Sequence, residues 1–259
     1  MAVFQAFRAL RPIPEKASSV AALPYDVVTR EEAKLIGDKN PDSFLHVDRP
    51  EMDLPDETDL YDTKVYDKAR ENLQNMERNG ILKQDETPCY YIYELTRNGR
   101  SQTGLVGCCS IDDYMNGVVK KHELTREDKE QDRIRHVDTC DANTGPIFLA
   151  CRYPQELLDL MEGWKASHEA VYDFTADDGI GHRAWVIDGE KEKATIAQQF
   201  GEIPSIYIAD GHHRAASAVK VGLKDVRSIR IMMEPRNSII SFLYYFRTIS
   251  SRFLHIIVW

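Results

Sequence analysis

Apolar positions recur at helical spacing between Asp59 and Asn79, where Leu60, Val65, Tyr66, Ala69, Leu73 and Met76 share one face and Gly80 follows. That pattern predicts a packing helix. Pro154 to Lys165 reads the same way, with Leu157, Leu158, Met161 and Trp164 on one side. Thr29-Arg-Glu-Glu32 forms a capping box that opens a short helix to Ile36. Thr125 is expected to cap a charge-rich helix carrying Lys129, Asp132, Arg133 and His136, and Gln198 and Gln199 fall on another helix. Shorter apolar runs predict strands at Phe4–Leu10, Phe44–Val47, Cys89–Leu95, Thr103–Ile111, Val118–Val119, Ile147–Cys151, Val171–Thr175, Arg183–Ile187 and Ile203–Ala209. Arg11 to Pro14 breaks the first of them. Asn98-Gly99 marks a hairpin, Asn40-Pro41 and Asn116-Gly117 mark turns, and His122 and Glu123 close the strand after Gly117. Strands and helices interspersed in this way predict an α+β protein with a mixed sheet and packed helices.

The chain has 259 residues, 42% apolar and 29% charged, which suits one large domain or two small ones with a real core. The net charge of −9 argues against a broad nucleic-acid surface, although a local basic pocket is compatible with it. Cysteines at 89, 108, 109, 140 and 151 show no CxxC spacing, and several sit in apolar runs. Buried thiols in a reducing compartment, the cytoplasm, are the expectation. MAVFQAFRALRPIP has no apolar core of signal-peptide type, and no run approaches the ~20 apolar residues of a membrane span. From Asn237 to Trp259 the composition shifts to Ile, Phe, Tyr and Ser with little charge. That stretch reads as a buried hairpin or as a truncated or altered C-terminus.

The strongest chemical signal is Ile203 to Leu223. An apolar run ends at Asp210-Gly211, His212, His213 and Arg214 follow, and Ala215, Ala216, Ala218, Val219 and Leu223 continue at helical spacing until Gly222 helps to end it. Strand, tight turn and helix place two imidazoles and a guanidinium where backbone N–H groups and the helix dipole favour an anion. Gly211 lets the backbone approach a ligand. Asp210 as a plain N-cap is the simpler alternative, but the crowding of titratable groups favours a site. The second signal is His122-Glu123, where a carboxylate amid cations suits a general base. Tyr25-Asp26, after Pro24, reads equally as a polar turn or as part of a site. His182-Arg183 reads equally as a polar edge strand.

These pieces together resemble the domain-of-unknown-function family 1015, a ParB-related bacterial family. They are Leu23-Pro-Tyr-Asp-Val27, Asn40-Pro41, Arg49-Pro-Glu51, Lys121-His-Glu-Leu-Thr125, Asp132-Arg133, Ala142-Asn143 with Pro146, and Ile208-Ala-Asp-Gly-His-His-Arg214, and the resemblance runs from about Phe4 to about Met233. Members of that family are usually longer at the C-terminus. His-Glu followed by Asp-Gly-His-His-Arg is also similar to the free serine kinases of ParB/sulfiredoxin-like fold. The resemblance implies a ParB/sulfiredoxin-like core over residues 81–235, an N-terminal α/β segment 1–80 packed on it, and an atypical tail 236–259. It implies Glu123 as the base with His122, Asp210 and His212 as catalytic partners. Gly211, His213, Arg214 and Arg133 would bind phosphate or nucleotide, Tyr25 and Asp26 would bind substrate, and Asp210 would hold Mg²⁺.

The function expected on these grounds is a cytoplasmic small-molecule kinase that phosphorylates a free hydroxy amino acid, L-serine. The donor is ATP, ADP or pyrophosphate, and no Walker A sequence is present. A ParB-like, nucleotide-binding, DNA-associated regulator is the alternative, although no basic helix-turn-helix is recognisable. A metallohydrolase using His122, Glu123, His212 and His213 ranks below both, because these spacings match no standard zinc motif. A sulfiredoxin-like reductase lacks a cysteine in the Asp210–Arg214 turn.

Overall fold

The computed structural model describes residues 2–123, 125–232 and 253–258. Most of the atypical stretch 236–259 therefore lies outside the described residues. In chain order the strands are β1 (Phe4–Gln5), β2 (Leu10–Pro12), β3 (Leu82–Gln84), β4 (Tyr90–Arg97), β5 (Arg100–Ser110), β6 (Val119–Lys120), β7 (Ile147–Ala150), β8 (Tyr172–Thr175), β9 (Gly181–Ile187), β10 (Ile206–Asp210) and β11 (Phe253–Val258). The helices are α1 (Ala17–Val20), α2 (Arg30–Lys39), α3 (Leu45–Asp48), α4 (Thr63–Arg78), α5 (Ile111–Met115), α6 (Glu127–Cys140), α7 (Gln155–Ser167), α8 (Glu190–Gly201) and α9 (His212–Met232). The protein is α+β with a mixed sheet, as the pattern predicts.

That sheet runs β6-β10-β7-β11-β5-β4-β9-β8, with β1 paired to β5, and a separate ribbon joins β2 to β3. One half is fully antiparallel, the β4–β5 and β8–β9 hairpins joined through β4 and β9 in the order β5-β4-β9-β8. Its first turn is only two residues long, with Asn98 and Gly99 both at positive φ (52° and 75°), the geometry that matches strand twist. The other half mixes directions. β10 is parallel to β6 and antiparallel to β7, while β11 is parallel to β7 and antiparallel to β5.

Alternate positions of the strands bury a large cluster that includes Ile92, Leu105, Trp185, Ile187, Leu149, Ile206 and Ile208, covered by Leu157 and Met161 of α7 and Ile196 and Phe200 of α8. Phe4 of β1 stacks between Phe200 and Tyr90, with ring centroids 4.0 Å and 5.2 Å away. A second cluster, Val20, Val47, Ala69, Leu73, Met76, Leu82 and Cys140, lies between α3, α4 and α6. α6 in turn packs on α9, so the N-terminal helices reach the turn at Asp210 through one intervening helix.

Several local expectations change. Arg11 and Pro12 lie inside β2 rather than breaking a strand, because Leu10 to Pro12 pairs with Leu82 to Gln84. Phe44 to Val47 is helical, not extended: Leu45 and Val47 are buried and Arg49 N–H closes the turn on the Leu45 carbonyl at 2.7 Å. α4 starts at Thr63, where the Asp62 carboxylate accepts from Lys64 N–H, and this leaves Leu60 exposed outside it. Leu158 of α7 is likewise exposed. The capping box at Thr29 forms, and α2 runs on to Lys39. β9 lies between β4 and β8, so His182-Arg183 is no edge strand; His182 sits within hydrogen-bonding distance of the Tyr93 hydroxyl, at 2.6 Å. Gly222 does not end α9, which continues to Met232.

The five cysteines are unpaired; Cys89, Cys108, Cys109 and Cys140 are buried and Cys151 is half-buried. Burial pushes the thiols of Cys140 and Cys151 up to about 12, so they are poor nucleophiles. No helix among the described residues is long and apolar enough to cross a membrane.

His136 of α6 is buried and donates from Nε2 to the Val47 carbonyl at 2.9 Å. Burial, with the nearby charge of Arg133, holds its pKa below the ordinary value. Above ~6.5, the usual histidine pKa, both folded and unfolded chains carry it neutral. As the pH falls below that value the unfolded chain takes up a proton that the native chain refuses, so stability is lost. His46, whose pKa its hydrogen bond to Asp53 raises, acts in the opposite sense. The check is therefore differential: denaturant midpoints of His136→Gln should fall less between pH 7.5 and 5 than those of the wild type (roughly, values spanning the histidine range).

Candidate functional site

Strand pairing assembles the site. Ile206 and Tyr207 of β10 lie parallel to Val119 and Lys120 of β6, so the residues leaving both strands emerge side by side. Those residues are His122 and Glu123 on one strand exit and Gly211 and His212 on the other. Across β10, Asp210 pairs with Phe148 of β7 after a register shift beyond Ile208. Such a bulge re-aims the strand end, and it brings Asp210 beside the loop that precedes β7. His122 and Glu123 follow the strand rather than closing it, because β6 ends at Lys120. Thr125 does not cap α6: its hydroxyl donates to Glu130, and Arg126 occupies the N-cap without a side-chain bond.

The turn itself is built as expected. Gly211 has φ +85°, a left-handed value, and its carbonyl accepts from Ala215 N–H at 2.9 Å as α9 begins. The N–H groups of the first turn that follows have no carbonyl one turn back to receive them. Arg214 folds over the glycine. A Cβ placed at Gly211 would stand 3.0 Å from Arg214 Nε and 3.1 Å from Cζ. The guanidinium donates to Asp210 Oδ2 at 2.6 Å and to the Pro146 carbonyl, which leaves further N–H donors of its five. Gly211→Ala would therefore meet both backbone strain and the guanidinium. It should cost about 1 kcal/mol or more of stability and displace Arg214, read as a lower denaturation midpoint.

Next to this seat Glu123 Oε2 lies 3.2 Å from His212 Nδ1, and Glu123 Oε1 lies 3.8 Å from His122 Nε2. The two imidazole rings meet edge to face at 4.5 Å. His212 is buried, with 5% of its side chain exposed, whereas His122 and Glu123 are exposed. Burial, with His122 and His213 adding to it, lowers the His212 pKa against the pull of Glu123 and Asp210. His212 Nε2 is buried without a hydrogen-bond partner among the described residues, as is His213 Nδ1. His213 lies within electrostatic reach of Glu130, and its carbonyl accepts from Ser217.

Tyr25 and Arg133 pack on each other on the Arg214 side. The Arg133 guanidinium lies 4.2 Å from the Tyr25 ring centre and pairs with Asp132 at 2.9 Å. Burial raises the Tyr25 phenol, and Arg133 and Arg214 both act against that rise, which places Tyr25 within reach of the turn. Arg49 fixes the loop by donating to the carbonyls of Tyr25 and Val28. Asp26 is exposed. The structure thus groups Glu123, His122 and His212, sets Asp210, Gly211 and Arg214 beside them, and brings Tyr25 and Arg133 towards Arg214. The Pro146 carbonyl and the close approach of Gly145 to Arg214 Cδ, 3.2 Å from an added Cβ, are site features that sequence reasoning missed. Their only signal in the chain was Pro146 among the motif pieces, with Ala142-Asn143, and nothing there pointed to its carbonyl.

The family model described as a protein of unknown function (DUF1015) matches residues 4–256. This chain belongs to the DUF1015 family. The match extends well beyond Met233, the limit suggested by the motifs, and takes in most of the central strand β11. Curated proteins and solved structures give no match to this DUF1015 chain.

Proposed function

We propose that this DUF1015 protein is a small-molecule phosphotransferase, moving a phosphoryl group from ATP, ADP or pyrophosphate to the hydroxyl of a free amino acid, L-serine. The observation that carries the reading is Arg214 folded over Gly211 at the start of α9, with the Glu123 carboxylate on the adjoining strand exit. Phosphoryl transfer needs positioning and charge more than covalent chemistry. The first-turn N–H groups and Arg214 meet the phosphate oxygens. Glu123 orients the acceptor hydroxyl and takes its proton, with His212 positioned to hold the carboxylate. Arg133, stacked on Tyr25, adds a second positive charge on the side where the acceptor carboxylate or the donor would lie. Asp210, whose Oδ2 accepts from Arg214, would help to hold a Mg²⁺ that arrives with the donor, and the ion would supply charge against the phosphate oxygens. The core is read as ParB/sulfiredoxin-like on the motif resemblance, and the protein as cytoplasmic on its unpaired cysteines.

Calorimetric titration of the purified protein with ATP, ADP and pyrophosphate, each with Mg²⁺ and L-serine present, tests the seat. Saturable binding of one polyphosphate is expected. Absence of binding for all three overturns the reading.

A further inference from the structure

We propose that His122, Glu123 and His212 form a binding site for a divalent transition-metal ion, Zn²⁺ or a close relative, with an open coordination position facing solvent. Ligand atoms of these three residues all lie within 4.8 Å of one another. A four-coordinate Zn²⁺ with bonds of about 2.0–2.1 Å spaces its ligand atoms about 3.4 Å apart. Two separations, 3.2 Å from His212 Nδ1 to Glu123 Oε2 and 3.8 Å from His122 Nε2 to Glu123 Oε1, lie near that spacing, each through a different oxygen of Glu123. Closing the set around an ion calls for rotation of the two exposed side chains.

The donor chemistry selects the metal. Two imidazoles and a carboxylate suit zinc, iron or manganese better than magnesium, which prefers oxygen and keeps its waters. His212 supplies a second, independent observation. It is almost wholly buried and anchored in the first turn of α9, and its Nδ1 is aimed at Glu123; with Nδ1 on the ion, the proton would sit on the buried Nε2, which has no partner among the described residues. His122 and Glu123 are 60% and 63% exposed, so three protein ligands close one side and leave the other open, the arrangement of a reactive rather than a structural site. The positive end of α9 opposes a cation here, and the carboxylates of Glu123 and Asp210 offset it.

The site rests on the phosphotransferase reading only for what fills the open position. There, the acceptor hydroxyl would bind the ion while Glu123 ligates through one oxygen and takes the hydroxyl proton on the other; His212 would then hold the ion in place of the carboxylate. Metal binding itself stands apart from that reading and is tested apart from it.

The full chain, stripped with a chelator and dialysed, is titrated with Co²⁺ and followed by visible absorption, then with Zn²⁺ in competition. Expected are intense bands of low-coordinate cobalt at one ion per chain and their loss on adding Zn²⁺. His122→Ala, at an exposed position outside helix and strand, should keep the melting temperature of the wild type. It should weaken binding by at least about tenfold, the loss that removing even a supporting partner of a ligand causes. Glu123→Gln should weaken it likewise. No cobalt bands, or bands unchanged in both variants, overturn the proposal. Product formation from L-serine is read in parallel. Bands without phosphoserine keep the metal site and reject the transferase reading; phosphoserine without bands does the reverse.

Discussion

Glu123→Gln is expected to reduce turnover by about 10²- to 10⁴-fold while the donor still binds with nearly wild-type affinity. The amide keeps the size of the side chain but takes no proton. The position favours a clean result, because Glu123 is exposed and follows the end of β6 rather than packing in a core. Little stability should be lost, and the thermal midpoint should stay close to that of the wild type. Donor contacts belong to a different segment, the Asp210–Arg214 turn, so calorimetric affinity for the polyphosphate should survive. Wild-type turnover in this variant would remove Glu123 from the chemistry.

Arg214→Ala should have the opposite signature: donor affinity falls by about 10- to 100-fold, as expected for losing charge-assisted hydrogen bonds to phosphate. The guanidinium is also tied to Asp210 and Pro146, so part of the loss comes from loosening the turn. Arg214→Lys separates the two effects. A lysine keeps the charge but cannot reach the Pro146 carbonyl, Asp210 and a phosphate together, so it should restore little of the affinity. Recovery to wild-type affinity in the lysine variant would show that charge alone, not the planar fork, holds the donor. Equal donor affinity in wild type and Arg214→Ala would place the donor elsewhere.

Much of this arrangement is legible in the chain because it is local. Asn98-Gly99 supplies the positive φ that a two-residue hairpin needs, and Thr29 with Glu32 closes a capping box within one turn of helix. The β10 strand, the Gly211 turn and α9 follow one another without interruption, so the strand–turn–helix that carries Asp210 to Arg214 could be read directly. Short apolar runs were ambiguous for the opposite reason. Phe44 to Val47 has the length of a strand, but as a helical turn it sends Phe44 and Val47 to the α4–α6 cluster and Leu45 to a second one with Ala33 and Met52. The pairing of Glu123 with His212 is set by parallel β6 and β10, whose partners lie almost ninety residues apart (Val119 and Ile206). No periodicity reports that register. The stack of Arg133 on Tyr25 and the grip of Arg214 on the Pro146 carbonyl are tertiary in the same sense. The resemblance suggested which segments belong to the site; the sheet order shows how they meet.

The most direct measurement is phosphorus NMR of the purified protein with Mg²⁺ and L-serine, offered ATP, ADP and pyrophosphate separately. A phosphoserine resonance that depends on one of these donors, and is lost in both Glu123→Gln and Arg214→Ala, is the expected result. A folded protein that yields no phosphoserine from any donor, or that yields it undiminished in both variants, would contradict the account.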